Sequence, residues 1–184
     1  MVRVTAGRFR GRRLAGPDGV WMRPTGDRVK QCIYNVLQDM VPGARVADLF
    51  SGTGNLGIEA WSRGASRVLL VDNAPRALAL IARNVSLLGD GPEIEVIADD
   101  AVSWLRALAP RAVDLVLADP PYAAGLEEAL LEALPAPAPE WFVLQHGKEW
   151  RLQQPPPGYV LWRSKRFGTT GVEFLRREEE EEEP

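Results

Sequence analysis

Residues 46–60 read VADLFSGTGNLGIEA, and this stretch decides the fold. An apolar run carries Asp48 near its end, glycines follow at 52, 54 and 57, and a helix-like stretch opens behind them. Glycines so placed let the backbone turn tightly and approach a ligand at a helix N-terminus. The strand–helix unit then recurs. The runs RVADLF (45–50), RVLLVD (67–72), IEVIA (94–98), VDLVLA (113–118) and WFVLQH (141–146) alternate with helix-like stretches near 56–63, 75–88, 101–108 and 126–134. Runs that are apolar almost throughout suit strands buried on both faces, and repeated units of this kind give a parallel sheet covered by helices. The stretch GYVLWRSKRFGTTGVEFLRR (158–177) reads as two strands around a glycine-containing turn, an antiparallel hairpin. The expectation is an α/β fold: a mostly parallel seven-stranded sheet with helices on both faces and a C-terminal hairpin.

Upstream, residues 1–24 contain RVTAG, RGRRL and PDGVW, which suit short strands in a hairpin. In RPTGDRVKQCIYNVLQDM (23–40), Thr25 is a candidate helix cap, and Val29, Ile33, Val36, Leu37 and Met40 form one apolar face. Cys32 lies near that face as a packing residue. The expected organisation is a basic hairpin-and-helix extension over 1–40, the sheet domain over 41–177, and a disordered acidic tail over 178–184. The net charge of −3 hides an uneven distribution; without the glutamates at 178–183 there are 22 basic residues against 19 acidic ones. Arg3, Arg8, Arg10, Arg12, Arg13, Arg23, Arg28 and Lys30 precede residue 31, opposed only by Asp18 and Asp27, which suggests a surface for phosphate. One cysteine and one histidine exclude a disulfide framework, a cysteine metal cluster and a multi-histidine site. No apolar run approaches the ~20 residues of a membrane helix. The first residues lack a signal core, so a cytoplasmic location is expected.

Which cofactor the glycine loop serves turns on the acids. Asp72 ends the second run 20 residues after Gly52, a spacing that also satisfies a dinucleotide fingerprint. Asp48, however, sits just before the glycines, where a pyrophosphate would be repelled. S-adenosylmethionine carries an ammonium and a sulfonium and no phosphate, which a carboxylate favours. Asp72 can take ribose hydroxyls, and Asp100, followed by Ala101, can accept from an adenine amine. The Walker lysine is absent, which excludes a P-loop. S-adenosylmethionine is therefore expected, with a nicotinamide or flavin cofactor as the alternative and no metal.

The fourth run ends VDLVLADPPYAAG (113–125). An exocyclic amine on a nucleobase is a poor nucleophile, because its lone pair is delocalised into the ring. Two hydrogen-bond acceptors around the nitrogen favour a pyramidal geometry with the lone pair aimed at a methyl donor. Asp119 offers a carboxylate, the Pro120 carbonyl a second acceptor, and Pro121 restricts the backbone. Tyr122 offers a stacking surface worth ~1–3 kcal/mol per base.

DLFSGTGNLGIEA, ADDA and ADPPY together resemble the class I S-adenosylmethionine methyltransferases that act on amino groups, with their Rossmann-like fold. RPTGDRVKQCIYNVL, AGRFRGRRL and KRFGTTGVEFL narrow the resemblance to the RsmD family of bacterial 16S rRNA guanine-N2 methyltransferases, over nearly the whole chain. The resemblance implies a guanine amine of 16S rRNA as acceptor, in an assembled or late-stage subunit with its ribosomal proteins, a monomeric enzyme, and S-adenosylhomocysteine as product. It implies cofactor contacts from Asp48, Phe50, Gly52, Gly54, Asp72, Asn73, Asp100 and Ala101, and base contacts from Asp119, Pro120, Pro121 and Tyr122. It makes the basic segment an RNA-contacting arm, with Arg8, Arg10, Arg12 and Arg13 toward phosphates and Arg23, Thr25 and Arg28 near the target. The chain departs at Gln145-His146-Gly147, where some relatives carry an acid, and at Gly7, where relatives often pair glycines. His146 and most tryptophans are expected to be packing residues. An adenine-N6 methyltransferase and a non-catalytic RNA-binding assembly factor are the competing readings.

Overall fold

A computed structural model describes residues 2–19 and 25–178. The expectations for Arg23, for Val20 and Trp21, and for the glutamates beyond 178 lie outside the described residues. Strands β1 (Val2–Arg3) and β2 (Arg13–Leu14) pair antiparallel, and helix α1 (Asp27–Val36) follows. Next come β3 (Arg45–Leu49), α2 (Asn55–Ser62), β4 (Arg67–Asp72), α3 (Pro75–Ser86), β5 (Ile94–Ala98), α4 (Ala101–Ala107), β6 (Leu115–Ala118), α5 (Glu127–Glu132) and β7 (Trp141–Gly147). The hairpin β8 (Tyr159–Phe167) and β9 (Thr170–Arg177) closes the described chain. The seven-stranded sheet runs β5-β4-β3-β6-β7-β9-β8. β3 to β7 are parallel, and β9 is antiparallel to both its neighbours. The expected fold is thus observed. Strand order reverses between β3 and β6, the place where such sheets bind ligands beyond their C-terminal ends.

Each sheet face buries its own core. On one, Val46, Leu70, Leu117, Val143 and Phe174 pack with Ile33, Tyr34 and Leu37 of the α1 segment, with Ile58 and Trp61 of α2, and with Val2, Val4 and Leu14 of the N-terminal hairpin. On the other, Leu49, Val71, Val116, Phe142 and Leu175 pack with Leu105 of α4 and Leu130 of α5. Gly7 has φ +79°, and a Cβ there would lie 1.8 Å from the Ser62 carbonyl oxygen, so only glycine lets the arm lie against the end of α2.

A buried acid anchors the arm. Glu59 of α2 is fully buried and accepts from the Thr5 N–H (2.8 Å), the Thr5 hydroxyl (2.7 Å) and the Ala6 N–H (3.0 Å). It also pairs with Lys30 (3.2 Å) and Arg63 (2.9 Å). Burial pushes the Glu59 carboxyl up, but the Thr5 groups, Lys30 and Arg63 hold it below its ordinary value. Lys30 corrects the sequence reading. It does not belong to a phosphate surface, because its side chain is buried against Glu59, Asn55 and the Arg3 carbonyl. Arg3 is likewise drawn to Asp27 at 3.0 Å. No described helix is long and apolar enough to cross a membrane.

Candidate active site

A cavity of about 610 Å³ opens at the C-terminal ends of β3, β4, β6 and β7, with Thr25, Gly26 and Val29 on one wall and Phe167, Thr169 and Thr170 at the hairpin end. The loop after β3 builds its floor. Phe50 takes a left-handed conformation (φ 58°), and Gly52 and Gly54 follow with φ 59° and 74°. A non-glycine residue held there marks backbone strain of the sort found at ligand sites. Gly57 has a packing role. A Cβ at Gly57 would meet Leu70 Cδ2 at 2.2 Å, so its absence seats α2 on the sheet.

Three acids face this cavity, and no lysine or arginine is among its described lining residues. Asp48 is buried and accepts the Gly57 N–H at 2.8 Å. Burial pushes its carboxyl up to about 8; the Gly57 N–H opposes this, and the charges of Asp119 and Asp72 add to it. Asp72 accepts from the Gly52 N–H and the Ala74 N–H, each at 2.9 Å, which fixes both carboxylate oxygens at the rim. Asp119 follows β6. Burial raises its carboxyl, while the hydroxyls of Thr25 and Tyr122 act the other way. A phosphate-bearing cofactor would meet three acids here and no cation among the described lining residues, whereas a cationic nucleoside would favour their ionised forms.

Of the cofactor residues named from sequence, Asp48, Phe50, Gly52, Asp72 and Asn73 line this cavity, and Gly54, Asp100 and Ala101 do not. Asp100 caps α4, its Oδ1 accepting the Ser103 N–H at 2.9 Å, and Ala101 is buried. Asp119, Pro120, Pro121 and Tyr122 all line the cavity. Tyr122 is 39% exposed, packs over Gly147 and has its hydroxyl 3.3 Å from Thr170 Oγ1.

Thr25 corrects the capping expectation. Gly26 is the residue before the first turn of α1, with no side-chain cap, and the Thr25 hydroxyl instead donates to Asp119 Oδ2 at 2.6 Å. This contact ends a buried polar chain. Lys30 Nζ donates to Asn55 Oδ1 (2.6 Å), and Asn55 Nδ2 donates to the Thr25 carbonyl (3.1 Å). A line of hydrogen bonds therefore runs from the Glu59 anchor to the acid of the β6 turn.

Gln145 has a larger part than the sequence reading gave it. Ala118 pairs with Leu144, so Gln145 sits beside Asp119 in the sheet. It is buried, lines the cavity, and its Nε2 has no hydrogen-bond partner. A buried amide donor without a partner is costly, and a bound acceptor would satisfy it. His146 is a packing residue, fully buried, with Nδ1 2.8 Å from the Gly147 carbonyl, Nε2 3.2 Å from Glu173 Oε1, and its ring against Trp150.

Arg3, Arg8, Arg10, Arg12 and Arg13 are exposed and outside the cavity. Arg8 lies over the rings of Phe9 (4.6 Å) and Trp61 (4.4 Å), and Arg12 donates to the Leu87 carbonyl at 3.0 Å. Arg10 and Arg13 point to solvent. Arg28 is exposed, with its guanidinium 5.8 Å from the Phe167 ring centroid.

The sheet order, the acid-lined cavity beyond β3 and β4, and the Asp-Pro-Pro-Tyr turn after β6 define a class I methyltransferase. A family model described as "Conserved hypothetical protein 95" matches residues 2–176. The chain belongs to this family, the RsmD-type methyltransferases. It is 33% identical to the YlbH protein of Bacillus subtilis (strain 168), with 96% of this chain and 99% of that protein covered. It is 32% identical to the Escherichia coli (strain K12) protein named ribosomal RNA small subunit methyltransferase D, with 96% and 90% covered. The solved structure of Escherichia coli yhhF superposes with a TM-score of 0.83 at 28% identity, covering 96% of this chain and 98% of that one.

Proposed function

We propose that this chain transfers a methyl group from S-adenosylmethionine to the exocyclic N2 amine of a guanine in 16S rRNA, in an assembled or late-stage small subunit. One observation carries the reading: the half-buried Asp119 carboxylate, oriented by Thr25, opens onto the same cavity as Asp48, Asp72 and the glycine loop. The name of the Escherichia coli relative supports ribosomal RNA as the acceptor. When bound, S-adenosylmethionine supplies an electrophilic methyl group on a cationic sulfur. Asp48 and Asp72, with Phe50, Gly52 and Asn73, are the residues that would hold it, the carboxylates complementing its positive charge.

Asp119 and the Pro120 carbonyl accept from the two N–H groups of the amine and turn its lone pair toward the cofactor side of the cavity. Thr25 keeps the Asp119 carboxylate in one orientation. Burial raises this carboxylate above its ordinary value, which suits it to take the proton released once the nitrogen is methylated. Tyr122 stacks on the base, which must be unstacked from its strand to arrive there. Gln145 donates its free amide N–H to an acceptor on the edge of the base.

The test is nucleoside analysis of unmethylated small subunits incubated with the protein and labelled S-adenosylmethionine. N2-methylguanosine is the expected product. N6-methyladenosine would redirect the reading to adenine, and RNA binding with no incorporated label would make the chain a non-catalytic assembly factor.

A further inference from the structure

The edge strand β8 carries a surface that the basic arm does not explain. Residues 160–166 are all exposed, and Val160, Leu161 and Trp162 are 41%, 43% and 52% exposed. Trp162 is thus an exception among tryptophans expected to pack. The strand reads YVLWRSKRF, with Arg163, Lys165 and Arg166 and no acid.

Register fixes which of these residues share a face. Arg163 lies opposite Phe174, Lys165 opposite Val172, and Phe167 opposite Thr170. Phe174 and Val172 belong to the core beneath α1 and α2, so Arg163, Lys165 and Phe167 project from that same face of the sheet. Trp162 stands at the irregularity between Leu161 and Arg163 and meets Trp141 edge-on at 6.0 Å, with the Arg176 guanidinium 5.8 Å from its ring centroid. The row ends at Phe167, which lines the cavity and has Arg28 at its ring. Four steps of ~3.3 Å make the run from Arg163 to Phe167 about 13 Å long.

We infer that this face of β8 is a second RNA-binding track, which holds single-stranded rRNA beside the target nucleotide and leads it to the cavity. Alternating cations and an exposed indole are the chemistry of single-strand binding, with phosphates on Arg163 and Lys165 and a base on Trp162. The occupant is polyanionic because the strand offers cations alone. A second copy pairing edge to edge would bring Arg163, Lys165 and Arg166 against their own copies, which is unfavourable. This inference rests on the proposed action on rRNA and adds where the RNA lies.

The experiment compares the wild type with Arg163→Gln/Lys165→Gln and with Trp162→Ala, full chain in each case. It measures affinity for unmethylated small subunits across salt concentration, methylation kinetics, and cofactor affinity. The double variant should lower the salt slope of log K by roughly 1.4, from ~0.7 per single-strand phosphate contact. Trp162→Ala should weaken binding roughly 5- to 150-fold, from ~1–3 kcal/mol per stacked base. Both should raise KM with kcat and cofactor affinity kept. A photo-crosslinker at position 160, opposite Arg176 on the same face, should capture rRNA. An unchanged salt slope in variants that bind cofactor normally overturns the track, as does crosslinking to a ribosomal protein or to a second copy. If the wild type itself neither binds nor methylates small subunits, the proposed function fails instead.

Discussion

Replacing Glu59 with alanine tests how the N-terminal arm is held against α2 and the sheet. The carboxylate is fully buried and serves two backbone N–H groups, one hydroxyl, Arg63 and the buried Lys30. Removing one partner of a buried ion pair costs about 3–5 kcal/mol, because the remaining charge is left uncompensated. The freed Thr5 and Ala6 N–H groups add less, since the truncated side chain leaves room for water near the partly buried arm. For a chain of this size that loss lowers Tm by roughly 6–20 °C, at ~2–4 °C per kcal/mol. The assay is thermal and urea denaturation at pH 7, with hydrogen exchange over residues 4–12, where protection should fall. The Glu59 carboxyl is depressed in the folded protein, so its stabilisation is present above its ordinary value of 4.5 and fades as pH falls through the folded value. The difference between wild type and variant should shrink accordingly in acid. A Lys30→Met/Glu59→Leu double variant should be more stable than Glu59→Ala, since it leaves no fully buried lysine without its acid. A Glu59→Ala protein within ~1 kcal/mol of wild type would refute the anchoring role.

Two further outcomes follow from the site. Thr25→Val removes a hydroxyl that holds the Asp119 carboxyl down, so the acid limb of the methylation pH–rate profile should move to higher pH, with cofactor affinity unchanged by calorimetry. Burial pushes the Asp48 carboxyl up to about 8 in the free protein, whereas a cationic cofactor favours its ionised form. S-adenosylmethionine affinity should therefore rise with pH up to about 8, by at most tenfold per unit, and Asp48→Asn should flatten that dependence.

The sheet was legible because its central strands β3, β4, β6 and β7 are apolar on both faces and glycines and prolines mark strand ends. β4 and β5 fall on the very residues read as RVLLVD and IEVIA. The Asp119 turn and the Asp72 rim were legible for a related reason, since a residue just past a strand is placed by the strand. Side chains whose partners are distant in sequence were not. Lys30 looks like a surface cation until Glu59, on another helix, is seen beside it. Thr25 fits a cap as well as it fits an acid 94 residues away. Asp100 follows its strand as Asp72 does, but it lies outside the cavity lining and its Oδ1 caps its own helix, a local contact that spacing alone does not separate from a ligand contact. The free amide of Gln145 and the cationic face of β8 required strand register, which spacing along the chain does not provide.

The most direct measurement pairs methyl transfer with cofactor binding in Asp119→Ala. Wild type and variant are incubated with unmethylated small subunits and labelled S-adenosylmethionine, the modified nucleotide is mapped, and cofactor affinity is measured by calorimetry. The wild type should label a single 16S rRNA guanine at N2, and the variant should bind cofactor yet transfer no methyl. Wild-type-like turnover in Asp119→Ala would contradict the account.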